Sequence, residues 1–352
     1  MRIVQCASVP HSSLNQGPTP FMARRVRYQL FKFLVATIGL AIGYHGVKLI
    51  GDERAHPAPG TLVNVDDHRL HLFCEGDGEP AVVLDAGAGA WSIGMRRIQR
   101  ALRDSIRVCA YDRAGLGWSD ASRSGFDVQT SAGDLHRLVE AAPIARPFIL
   151  VGESLGANIA QVYASDRPEE LAGLVLIDPG TPDDMLEDFH HPDSVAEAMT
   201  TCGAKCGVAA AAATIGLTRV ASHWAGTKWL TQEENAIYKA GISRPRTTRA
   251  IIGSLVFLPK SAVQVRRATD FGDLPVTVLF SEKTRKPEGK ETVDDVRAWH
   301  ALKLRQMSQL LEGSTAARGP IVVPGATHTS ILFDSAAVRI VAAEILRLAR
   351  KR

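Results

Sequence analysis

Between residues 81 and 324 the chain returns six times to a short, unbroken apolar run. These are AVVLD (81–85), RVCAYD (107–112), FILVG (148–152), GLVLID (173–178), VTVLF (276–280) and PIVVP (320–324). Continuous rather than alternating apolarity, rich in Val, Ile and Leu, predicts strands covered on both faces. Helix-like stretches fall at 91–103, 129–142, 155–166, 293–312 and 334–350. Alternation of the two predicts an α/β fold, a mostly parallel sheet with helices on both faces. LVNVDDHRLHLFCEG (62–76) has a different rhythm, with two alternating runs flanking Asp66 and Asp67. That pattern predicts an antiparallel hairpin ahead of the parallel strands. No repeat of long period is visible.

One interval breaks the alternation. From Asp178 to Val276 there is no strand-like run, and CGVAAAAATIGLTRVASHWAG and TQEENAIYKAGI both read as helical. A structureless loop of that length is improbable in a compact domain. Residues 181–270 are therefore expected to form a helical cap over one end of the sheet, and 61–180 with 271–352 to form the core.

The N-terminal segment follows other rules. FLVATIGLAIGYHGVKLI (33–50) is about the minimum length for a membrane span, and MARRVRYQLFK precedes it with positive charge and no acid. The partition expected here is a disordered, basic N-terminus (1–29), a transmembrane anchor or signal segment (30–50) and a linker (51–60). No clean A-x-A cleavage site follows, which favours an anchor over a signal peptide. The positive-inside bias would keep Arg24, Arg25 and Arg27 in the cytoplasm and send the catalytic domain across. A secreted or cytoplasmic chain, with the run as a buried helix, is the alternative. Met22 opens the basic segment directly, so the natural chain is expected to begin there, with residues 1–21 disordered or untranslated.

Charge agrees with that division. The net charge is +4, yet residues 1–59 hold seven Lys/Arg against Asp52 and Glu53. The rest is nearly neutral, offers no phosphate-tracking surface, and argues against nucleic acid as a partner. Of five cysteines, Cys74 and Cys109 fall in strand-like runs and are expected to be small buried hydrophobes. Cys202 and Cys206 suit either a local disulfide or one helix face, and are a poor zinc site. No metal, nucleotide or flavin motif is visible, so neither metal nor cofactor is expected, and the sequence leaves the oligomeric state open.

The candidate chemistry sits at strand ends. GESLG places Ser154 after a strand and before a helix. A turn that sharp strains the serine backbone and needs glycine on both sides, which lifts the hydroxyl clear of the sheet. A serine hydroxyl needs a base, and His328 in VVPGATHTS follows the last strand among small neighbours. His136 and His300 lie in helices, His68 and His71 on the hairpin, and the His190–His191 pair at the start of the cap. The first four read as surface or packing residues, and a metal role for the His190–His191 pair would need carboxylate partners that its spacing does not supply. A tetrahedral intermediate needs two amide donors. One would come from Leu155, the other from the LDAGAGAWS loop after the first parallel strand.

With GESLG, DAGAG, YDRAGLGWSD and GATHTS in these positions, the chain resembles the α/β-hydrolase superfamily with a cap domain, over roughly residues 60–350. The resemblance implies Ser154 as nucleophile, His328 as base, and the amides of Ala88 and Leu155 as oxyanion donors. Relatives commonly carry a His-Gly pair where this chain has DAGAG. Dehalogenases and epoxide hydrolases of the superfamily use an aspartate at the elbow, so Ser154 argues against both. The acid departs from the usual pattern, because the loop after VTVLF reads FSEKTRKPEGK and its expected position falls near Thr284. Asp178, closing GLVLID, is the expected acid, with Glu282 as the alternative. Asp85 and Asp112 are expected to hold structural ion pairs.

These residues point to a serine hydrolase cleaving an ester of a small, fairly apolar molecule, with the cap's alanine-rich run, Trp224 and Trp229 lining its mouth. Amide, lactone or carbon–carbon bond hydrolysis on the same triad is the second reading. A non-catalytic small-molecule binding protein on the same scaffold is the third.

Overall fold

The six apolar runs are all strands of one eight-stranded sheet. The computed structural model describes residues 20–122, 124–183, 185, 207–223, 225–283 and 292–350. Cys202, Cys206, His190, His191, Trp224, Thr284 and residues 1–19 lie outside the described residues. The hairpin is β1 (Thr61–Val65) and β2 (His68–Glu75), followed by β3 (Val82–Asp85), β4 (Val108–Tyr111) and β5 (Phe148–Glu153). Then come β6 (Leu171–Ile177), β7 (Val276–Ser281) and β8 (Arg318–Val323). Their order across the sheet is β1-β2-β4-β3-β5-β6-β7-β8. Pairing is parallel from β4 through β8 and antiparallel for β1–β2 and β2–β4.

Strands β3 to β7 are buried along their whole length, as continuous apolarity requires. β8 departs from that expectation. It is the edge strand, bounded by β7 alone, and Arg318, Gly319 and Val322 are exposed. In the hairpin Val65 faces His68, and Asp66 takes the left-handed conformation (φ 51°) that aspartate tolerates in tight turns.

Cys74 and Cys109 also correct the expectation. They face each other in the β2–β4 register and form a disulfide, not two separate buried thiols. Their partnership depends on β4 lying beside β2, which neither run announces locally.

Helices cover both faces. α1 (Pro20–Ala55) precedes the sheet, and α2 (Arg96–Leu102), α3 (Val128–Ala141) and α4 (Leu155–Asp166) follow its early strands. The insertion between β6 and β7 contains helical residues 207–214, then α5 (Leu217–Ser222), α6 (Gln232–Ile242), α7 (Pro245–Val256) and α8 (Leu258–Arg267). α9 (Val293–Leu311) and α10 (Ser335–Ala349) complete the chain. On one face Ile98 and Leu102 of α2 meet Val341 and Ile345 of α10. On the other, Leu135 and Leu138 of α3 join Ile159 and Tyr163 of α4 and Val265 of α8. Gln161 of α4 donates to the carbonyls of Val265 and Ala268, which locks the last helix of the insertion onto the core.

α1 is longer than the apolar run. Residues 20–29, expected to be disordered, and 51–55, expected to be linker, are helical. Pro20 suits a first helical position, and the residues after it are good helix formers. The helix stops at Ala55, just before His56, which Pro57 biases away from helical angles. Over Arg27–Ala55 it is long and apolar enough to cross a membrane.

Candidate active site

Ser154 stands between β5 and α4 in a conformation rare for a non-glycine residue, φ 52° and ψ −119°. Its flanking glycines are there by necessity. A Cβ on Gly152 would sit 2.3 Å from the Gly156 carbonyl oxygen, and one on Gly156 would sit 2.5 Å from the carbonyl oxygens of Asp85 and Ala86. The turn exists only because both positions lack a side chain. β5 is central, and the chain leaves β3 for β4 on one side and β5 for β6 on the other. Crevices at such switch points are where open α/β sheets bind ligands.

Three side chains from distant parts of the sequence meet at this edge. His328, in the turn after β8, lies with Nε2 3.1 Å from Ser154 Oγ and Nδ1 2.6 Å from Asp178 Oδ2. A carboxylate only accepts, so Nδ1 carries the proton and Nε2 is free to accept from the serine hydroxyl. Asp178 is buried and takes a further hydrogen bond from Ser281 Oγ at 2.8 Å. Burial pushes its carboxyl up, but the His328 hydrogen bond and charge, with Lys303 and Ser281, outweigh burial and hold it below the usual range. The Asp178 hydrogen bond raises His328 above its ordinary value, against the effect of burial. Glu282 is not joined to His328. Its carboxylate accepts from the Gly325 amide at 2.7 Å, which braces the turn that carries His328.

The LDAGAGAWS loop lies across from the serine. Gly87 and Ala88 border the same cavity of about 440 Å³ as Ser154 and His328. The loop is held from behind. Arg113 donates to Asp85 and to the carbonyls of Ala86 and Gly87, and Tyr111 Oη donates to Asp85 at 2.7 Å. Asp112 serves structure too, accepting from His71 Nδ1 at 3.0 Å and from the Ser92 and Trp118 amides. Other described histidines stand outside the hydrogen-bonded line, although His300 borders a second pocket together with Asp178 and His328. His136 pairs with Glu170, and His300 lies 3.2 Å from the Ser281 carbonyl.

Residues 82–343 match the model of the alpha/beta hydrolase family. The chain belongs to the alpha/beta hydrolase family. It is similar to the cis-3-alkyl-4-alkyloxetan-2-one decarboxylase of Shewanella oneidensis, 32% identical over 141 residues, which is 39% of this chain and 42% of that protein. The chain spans less than half the length of the curated relatives it matches. Among solved structures it resembles a thermophilic esterase from Thermogutta terrifontis, with a TM-score of 0.56 and 18% identity over 82% of this chain and 98% of that one. It also resembles an epoxide hydrolase of Vigna radiata, with a TM-score of 0.60 and 16% identity over 83% of this chain and 98% of that one. Identities this low speak to the fold alone.

Within this family frame, several residues at the site carried no local sequence signal. Trp91, Tyr238 and Phe333 wall the cavity, and Trp91 stacks on Tyr238 at 5.2 Å between ring centres. They come from the segment before α2, from α6 and from the turn before α10, so only the fold assembles them. Trp229, expected to line the mouth, stacks on the cavity-wall residue Phe333, and its neighbour Leu230 borders the cavity directly. Glu153 had a signal that was passed over, a carboxyl inside an otherwise apolar strand.

Proposed function

We propose that this chain is a membrane-anchored serine hydrolase that cleaves esters of small, fairly apolar molecules. The reading rests above all on the unbroken hydrogen-bonded line from Asp178 through His328 to Ser154, opening on a cavity with aromatic walls. In this reading Ser154 Oγ attacks the ester carbonyl and passes its proton to His328 Nε2. Asp178 keeps the imidazole in the right tautomer and stabilises the imidazolium. The amides of Ala88 and Leu155 receive the oxyanion, a contribution worth roughly 10²–10³ in rate per donor. His328 then gives the proton to the leaving alcohol, and water deacylates the serine by the same route. A volume of about 440 Å³ suits a small ligand, and Trp91, Tyr238 and Phe333 favour an apolar one.

The anchor is α1. Its apolar side chains are exposed around the helix, Phe33 at 73% and Leu40 at 78%, which water would penalise and lipid would not. Arg24, Arg25 and Arg27 at its start favour a cytoplasmic N-terminus, and the Cys74–Cys109 disulfide favours an oxidising compartment for the body. The far end of α1 is tied to the body: Arg219 of α5 in the insertion donates to Asp52 at 2.6 Å, and just past the helix the His56 carbonyl accepts from Trp118 Nε1 of the core at 2.9 Å.

A chain-length series of p-nitrophenyl esters tests the activity on the full chain in detergent. Turnover that peaks at short to medium acyl chains and vanishes in Ser154→Ala is the expected result. Full turnover in that variant overturns the serine mechanism. Tight binding of the esters without turnover favours a binding protein, and cleavage of matched amides or lactones in their place moves the substrate class.

A further inference from the structure

Glu153 immediately precedes the elbow serine, and the hydrolytic scheme leaves it idle. It closes β5, is buried at 5% exposure, and holds Oε1 3.6 Å from His328 Nε2, the atom that takes the serine proton. Its other oxygen lies against the oxyanion loop. A Cβ on Gly87 would sit 2.4 Å from Oε2, and the Gly87 amide favours the charged form of the carboxyl. One carboxyl therefore touches both the base and the residue before Ala88. We propose that Glu153 is a positioning residue that acts through His328 and Gly87, and that its ionisation sets the acid edge of the working pH range. The inference rests on the hydrolytic reading and deepens it.

The charges around it are few. His328 faces it from the turn after β8, Asp178 lies beyond that ring after β6, and Arg113 approaches from the end of β4, already engaged with Asp85. Lys303 of α9 acts on Asp178 and His328 from the far side. Burial drives the Glu153 carboxyl up, Asp178 adds to that, and His328, the Gly87 amide and Arg113 oppose it, leaving it at about 7. As a carboxylate it favours the imidazolium that forms when Ser154 gives up its proton. As a neutral acid it offers no such support. Two groups this close share their protons, so the edge of the profile belongs to the pair. A side chain at Gly87 would displace this carboxyl from its place beside His328.

Glu153→Gln keeps the size and an acceptor for the Gly87 amide while removing the charge. The acid limb of ester turnover should move to lower pH by at least roughly one unit, the smallest shift expected because water-like screening sets the lower bound for a charge lost at this range. The His328 ring, followed by NMR in the same variant, should titrate lower by a similar amount whether or not ester is cleaved. A limb and a ring that both stay put overturn the proposal. A chain without turnover whose ring still shifts defeats the hydrolytic reading and keeps the coupling. If the variant does not fold, the native chain with ¹³C-labelled glutamate carboxyls decides. One carboxyl titrating at about 7 supports the proposal, and ordinary values for all of them overturn it.

Discussion

Asp85 closes β3 and Asp178 follows β6, each at the carboxyl edge of the sheet, and they are 1% and 2% exposed. Asp85 faces Arg113 and Tyr111 and fastens the LDAGAGAWS loop from behind. Asp178 faces His328 and Ser281 on the other side of the imidazole from the serine. Their carboxyls move in opposite directions. Burial wins at Asp85 despite Arg113 and Tyr111, and raises it, whereas His328 and its neighbours win at Asp178 and lower it. The same residue type, at equivalent ends of parallel strands, clamps a loop in one place and, in the proposed mechanism, orients the base in the other. A permanent cation or a titrating imidazole across the gap decides which.

The sharpest way to break this comparison is to neutralise each carboxylate and read activity and stability separately. Asp178→Asn should lower kcat by about 10⁴, the scale known for an isosteric amide in such a triad, with little change in urea unfolding. Asp85→Ala should act the other way round, destabilising the fold by about 3–5 kcal/mol because Arg113 is left buried without its partner. If both variants lose activity at unchanged stability, Asp85 is part of the reacting centre and the contrast fails. Replacing Cys74 and Cys109 together by serine sharpens the stability side, since the bridge closes a loop 35 residues long. A loss of about 2–4 kcal/mol with kcat intact is expected, and a fall in kcat at unchanged stability would contradict a purely structural role. The smallest effect belongs to Glu282→Gln, which should change kcat by less than roughly tenfold, about 1.4 kcal/mol. A larger drop would give Glu282 a share of the work assigned to Asp178.

These contrasts mark how far the sequence could be read. The apolar runs, the elbow glycines and the loop holding His328 are local features, so strands β3 to β7, Ser154 and His328 were all legible. Asp178 was legible as the leading candidate because its place at a strand end is local. That Asp178 rather than Glu282 meets His328 is seen only in the folded distances. What was not legible depends on neighbours across the sheet. The disulfide needs the β2–β4 register, the aromatic walls need three separate segments, and Arg113 reaches back to a loop 26 residues earlier. The extra turns of α1 were not legible because 20–29 mixes a basic cluster with apolar residues and 51–55 is polar, so neither continues the apolar run, while the helix needs only the absence of a breaker before Pro57.

The central claim, that Ser154 is a nucleophile driven by a His328 base held by Asp178, is tested most directly by the pH dependence of covalent labelling. A fluorophosphonate applied to the full chain in detergent reads the serine without any assumption about substrate, and peptide mass spectrometry locates the adduct. The imidazole must be neutral to accept the serine proton, and the Asp178 hydrogen bond raises its proton affinity above the ordinary 6.5. Labelling should therefore be slow below that pH, rise as pH passes above it, fall exclusively on Ser154, and collapse in Asp178→Asn. An adduct on another residue, or a labelling rate at Ser154 that is flat across that range and unchanged in Asp178→Asn, would contradict it.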